Sequence, residues 1–128
     1  MNQKPKITEI AFVSYAASDM ARAQNFYENI LGLTPTHRSE TEHGIWQEYD
    51  IGSCTLCIGK MEGWNPGSLG GTAALEFEDF DAAIVHLKSA GVKFVMDPLE
   101  TKVCNMAIIQ DSEGNHLMVH QRKARSPH

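Results

Sequence analysis

Phe12-Val13-Ser14-Tyr15-Ala16-Ala17-Ser18-Asp19-Met20-Ala21-Arg22-Ala23 and Thr72-Ala73-Ala74-Leu75-Glu76-Phe77-Glu78-Asp79-Phe80-Asp81-Ala82-Ala83 carry one pattern twice. Each reads as a strand, an aspartate, and a helix with an alanine on its apolar face. Phe12 matches Thr72, Asp19 matches Asp79 and Ala23 matches Ala83, always 60 residues apart. A repeat of this length is one supersecondary unit used twice, and two copies bury a face that neither buries alone. Functional residues are therefore to be sought where the copies meet.

Working outward from the first copy, Ile7 to Ala16 reads as a strand and Ser18 as a helix N-cap, with Asp19 in the first turn. Met20, Ala23, Phe26, Tyr27, Ile30 and Leu31 recur at helical spacing until Gly32. Three strands follow, Thr34 to Glu40, Ile45 to Ile51 and Cys54 to Lys60, separated by turns at Glu42-His43-Gly44 and Gly52-Ser53. The second copy repeats the order. A strand Thr72 to Phe77, a helix from Asp79 to Ala90 and strands Lys93 to Met96, Cys104 to Gln110 and Asn115 to Gln121 complete it. Glu62 to Gly71 is the linker, with Trp64 inside it.

The expected fold is α+β: one domain over 1–128, built of two paired β-α-β-β-β modules at 7–61 and 71–121 that curl around a cavity. A chain of 128 residues that is 42% hydrophobic and 21% charged can build such a core. Its net charge of -5 excludes a phosphate-tracking surface, and the one basic run, Arg122-Lys123-Ala124-Arg125, reads as a solvated chain end. No apolar stretch approaches the roughly 20 residues needed to span a bilayer. Met1 to Lys6 has no signal-peptide core. Three cysteines make an odd number, so no disulfide framework is expected and the cytoplasm is the expected compartment. Neither nucleic acid nor membrane is an expected partner.

Ser18 to Leu33, ending in Phe26-Tyr27 and Leu31-Gly32-Leu33, together with the late turn Asp111-Ser112-Glu113-Gly114-Asn115, resembles the vicinal oxygen chelate superfamily. That group includes glyoxalase I, extradiol dioxygenases, fosfomycin-resistance enzymes and bleomycin-resistance proteins. The resemblance runs from about Ile7 to Gln121, with Ser112 and Glu113 where the family usually has Pro and Asp. It implies modules curled around a shared cavity, a homodimer, and up to four metal ligands on the first and last strands of each module. Those positions fall on Phe12, Cys57, Thr72 and Met118. None is His, Glu or Asp, the ligands that catalytic divalent metals of this kind require. No metal and no other cofactor is therefore expected, a displaced divalent metal being the alternative.

Strand alternation puts His116, Met118 and His120 on one face, and Glu76 on the face of Thr72. Glu76, His116 and His120 are the candidate acid–base residues, and a carboxylate on an apolar surface would have a raised pKa. Phe12, Ser14, Trp46, Cys57, Thr72 and Met118 are the candidate ligand-binding residues, with Trp64 a further aromatic. Cys54-Thr55-Leu56-Cys57 has CxxC spacing, but in a strand its thiols point to opposite faces and make no redox pair. Glu48 and Asp50 share a face whose side the sequence leaves open, and His37, His43 and His86 read as surface residues. The expectation is a metal-independent protein that binds a small organic molecule. The alternative is a lyase, isomerase or dioxygenase-type enzyme using a displaced metal or the acid–base residues.

Overall fold

The computed structural model describes residues 9–102 and 104–123. Two four-stranded mixed sheets each carry one helix. The first holds β1 (Val13–Ala16), β2 (His37–Thr41), β3 (Gly44–Ile51) and β4 (Cys54–Met61) in the order β1-β4-β3-β2. The second holds β5 (Ala73–Glu76), β6 (Phe94–Glu100), β7 (Cys104–Gln110) and β8 (His116–Arg122) in the matching order β5-β8-β7-β6. In both, the first strand runs parallel to the last and the other pairs are antiparallel. The repeat is thus an architecture of two β-α-β-β-β modules.

Helix α1 (Met20–Gln24) continues as a π-helical turn, Asn25–Ile30, whose widened ladder brings the Leu31 N–H to the Phe26 carbonyl. Helix α2 (Phe80–Ser89) is regular. The N-caps are Asp19 and Asp79, whose carboxylates accept from the N–H groups of Arg22 and Ala82 at 3.0 Å. This corrects Ser18 as the cap. The Ser18 hydroxyl is turned away from the helix end and donates to Glu113 Oε1 at 3.1 Å, which leaves the capping position to the next residue.

Only Val13–Ala16 of the expected Ile7–Ala16 strand is paired among the described residues, and Ile7 lies outside them. The strand expected at Lys93–Met96 continues to Glu100 through Pro98, which an edge strand with register shifts tolerates. Ala124 and Arg125 of the basic run lie outside the described residues, while Lys123 pairs with Glu100 at 2.7 Å. No helix among the described residues is long and apolar enough to cross a membrane.

One apolar cluster joins the modules, running from Tyr15, Phe26, Tyr27 and Tyr49 to Phe80, Leu87, Ile109 and Leu117. Its polar seam is built from the late turn. Asp111 Oδ2 accepts from Tyr27 Oη (2.8 Å) and Asn115 Nδ2 (2.9 Å), while Oδ1 accepts from the N–H groups of Glu113 and Asn115. Asn115 Nδ2 also donates to the Ala16 carbonyl, and its Oδ1 accepts from Gly67 N. Glu113 reaches across to α1, accepting from the N–H groups of Ser18 and Asp19, from Ser18 Oγ and from Arg22.

Burial pushes the Glu113 carboxyl up, but Arg22, the Asp19 N–H and the Ser112 and Ser18 hydroxyls outweigh it and hold it at about 2, against an ordinary 4.5. A depressed carboxylate stabilises the fold fully above the unfolded value and loses that contribution as pH falls towards 2. Glu113→Gln is expected to cost on the order of 2–3 kcal/mol at pH 7 and to cost progressively less between about pH 5 and pH 2. Urea melts of both proteins across that range test this; a constant difference would refute it.

Candidate functional site

Cross-strand neighbours point to one face of a sheet. In the first module, register aligns Ser14, Cys57 and Glu48 in one row and Gly59 and Trp46 in the next. Trp46 stands at the centre of an aromatic wall. Phe12 meets it edge-on, with ring centres 5.6 Å apart and planes at 84°, and Trp64 stacks on it at 6.2 Å and 25°. The wall needs Gly59 beneath it, since a Cβ there would lie 2.9 Å from Trp64 and 3.0 Å from Trp46. Trp46 Nε1 donates to Glu48 Oε2 at 2.9 Å, which fixes the indole in its plane.

Trp64, expected within a linker, is instead bridged to Met61 and seated on the wall. Glu48 and Asp50, left open by the sequence, belong to the row of Cys57 and to the row below it, where Asp50 pairs with Thr55. Phe12, at the wall's outer end, is 51% exposed. A glycine in a strand interior flags close approach of another group. That was the one signal by which Gly59 could have been found.

In the second module, register aligns Ala74 with Met118 and Glu76 with His120, and Gln110 with His116 at the far end of β8. Thr72 is exposed, just before β5. Among the described residues no hydrogen bond or ring contact links the Cys57 face to the Met118 face. The candidate residues therefore fall into two groups: Phe12, Ser14, Trp46 and Cys57 on one sheet, and Glu76, Met118, His116 and His120 on the other.

Glu76 Oε1 lies 2.6 Å from His120 Nδ1, and Oε2 accepts from the Arg122 N–H at 2.6 Å. The Arg122 N–H first, and His120 second, hold the carboxyl below its ordinary value. The raised pKa expected from an apolar surface is thereby corrected. The group is 45% exposed and its charged form has donors.

The four positions that the resemblance marks for metal ligands do not fit a divalent ion. Phe12 has no donor atom, Thr72 and Met118 offer a hydroxyl and a thioether, and only Cys57 carries a ligand of useful strength. Burial, reinforced by Glu48 and Asp50, pushes that thiol up to about 11, away from the thiolate a metal would bind. No group of three or more His, Cys, Asp or Glu among the described residues is disposed to hold a metal. Cys54, in the same strand, is exposed whereas Cys57 is buried.

The chain matches the family model of the Glyoxalase/Bleomycin resistance protein/Dioxygenase superfamily over residues 9–119. Among solved structures it is similar to TnmS3, an antibiotic binding protein from Streptomyces sp. CB03234, at 25% identity over 94% of this chain and 100% of that one, with a TM-score of 0.79. A glyoxalase/bleomycin resistance protein from the same organism is 27% identical over 88% of this chain and 100% of that one, with a TM-score of 0.75. The fosfomycin resistance protein FosX from Listeria monocytogenes shares the fold at 14% identity, covering 92% of this chain and 96% of that one, with a TM-score of 0.75. No curated protein is a significant match.

Proposed function

The chain belongs to the Glyoxalase/Bleomycin resistance protein/Dioxygenase superfamily, and from that premise we propose that it binds a flat organic molecule on the aromatic face of its first sheet, without a divalent metal. The observation that carries this reading is the Phe12–Trp46–Trp64 wall raised over Gly59. Offset or edge contacts with such rings suit a planar ligand. Glu48 and Asp50 on the same face favour a neutral or cationic one over an anion. The likeness to an antibiotic binding protein supports the same class of ligand.

A panel of planar aromatic metabolites and antibiotics, followed by tryptophan fluorescence and melting temperature, tests the reading. A ligand present at 100 times its Kd should stabilise the fold by about 2.7 kcal/mol. Trp46→Ala should weaken binding at least about tenfold, which corresponds to roughly 1.4 kcal/mol. A panel that moves neither signal would sink the proposal.

The Glu76–His120 pair at 2.6 Å favours one second reading, an enzyme in which the carboxylate orients the imidazole as a base. Product formation from a bound ligand, abolished in both Glu76→Gln and His120→Ala, would establish it; binding without turnover would leave the protein a binder. The exposed apolar residues Ile10 and Phe12 support a homodimer, for which light scattering should give twice the chain mass. The cytoplasm is the compartment that suits three free thiols.

A further inference from the structure

The two ends of the seam are not alike. At one end the β7–β8 turn packs against the start of α1 and fills the space with Asp111, Glu113 and Asn115. At the other end the β3–β4 turn is one residue shorter, because Ile51 pairs directly with Cys54 across Gly52-Ser53. The partners of the clamp are missing there too: Glu78 stands where the repeat has Ser18, and Ala82 where it has Arg22. In place of a polar plug there is a cavity of about 540 Å³.

Val13, Leu31, Leu33, Leu56, Leu75 and Phe77 form its apolar walls. Val13 and Leu56 have the opposite strand parity to Phe12 and Cys57, so the apolar part of the lining faces away from the aromatic wall, while Thr55, Ala74 and Glu76, of the other parity, close its rim. Glu76 is the one carboxylate among the described lining residues, and both its oxygens are engaged, by His120 and by Arg122 N. The Thr55 hydroxyl donates to Asp50. Among the described residues no basic group lines the space. Val13 and Ile51 nevertheless remain 39% and 38% exposed at its mouth, an apolar surface that gains free energy when covered. The volume lies within the range of small-molecule pockets, roughly 300–1,000 Å³.

We propose that this cavity is a second binding site, separate from the aromatic wall, for a small uncharged apolar molecule. It is the vacancy left where the shorter turn fails to plug the seam. Its occupant is selected by shape and burial rather than by charge.

Indole is a suitable probe, read by the methyl resonances of the full chain. The expected result is saturable shifts of the Leu31, Leu33 and Leu56 methyls. Val13→Phe should fill the cavity and weaken that response at least tenfold, while leaving the response of the Trp46 indole N–H unchanged. Shifts confined to Trp46 and Trp64, or no shifts, would overturn the proposal. So would methyl shifts that depend on protein concentration and not on indole, which would assign the surface to a second copy.

Should Val13→Phe not fold, Cys54 at the rim gives an independent measurement on the native chain, since Cys57 and Cys104 are buried. Its thiolate displaces methanesulfinate from a methanethiosulfonate and forms a mixed disulfide. The benzyl reagent should label Cys54 at least ten times faster than the sulfonatoethyl reagent, each relative to free cysteine. Equal relative rates would overturn the proposal. Neither readout depends on ligand binding at the aromatic wall, so the two sites stand or fall separately.

Discussion

Asp111→Ala is expected to destabilise the protein by about 3–5 kcal/mol, the upper end for a single substitution. The alanine would remove the acceptor of four hydrogen bonds, those from Tyr27 Oη, Asn115 Nδ2 and the N–H groups of Glu113 and Asn115. Each unsatisfied buried group costs roughly 1–3 kcal/mol, with partial rescue by water or by shared acceptors. Asn115 keeps the Ala16 carbonyl, which limits its loss. Tyr27→Phe removes one of the four bonds and should cost only about 1 kcal/mol. Urea denaturation of both variants checks the ratio. If Asp111→Ala cost no more than Tyr27→Phe, the carboxylate would not be the hub of the seam.

Gly59→Val should have the second-largest effect, this time on binding. A Cβ at this position meets Trp64 at 2.9 Å, Trp46 at 3.0 Å and the Ile45 carbonyl at 3.2 Å, and valine adds two methyls beyond it. The indoles must move apart, and the Trp46 Nε1 bond to Glu48 is strained or lost. Overpacking of this kind costs about 1–3 kcal/mol of stability. Affinity for the planar ligand should fall at least about 100-fold, equivalent to roughly 2.8 kcal/mol. Titration of variant and native protein with the same ligand tests this. Unchanged affinity would remove the aromatic wall from the site.

The repeat was readable because two periodicities, 2 and 3.6, recur at one offset, and both depend only on local geometry. The offset itself changes from 60 to 61 between Phe12–Thr72 and Cys57–Met118. The structure gives the cause, one extra residue in the β7–β8 turn. What that turn does was not readable, because Glu113 acts 95 residues away on Ser18. Glu76 was misjudged for a similar reason. Its low pKa comes from the N–H of Arg122, a neighbour that only strand pairing supplies. The apolar cavity is the property of a seam, and it belongs to no single segment.

The clamp at Glu113 also bears on how the molecule comes apart. The N-terminus of α1 is completed by a carboxylate from the other module, and Ala73 N of the second module donates to Tyr15 Oη of the first. Each half thus borrows an acceptor for its backbone from the other, which couples the two copies of the repeat. A cut at Leu69, which is fully exposed, would sever the chain outside these contacts. The two fragments would remain a complex, each serving as the other's missing template.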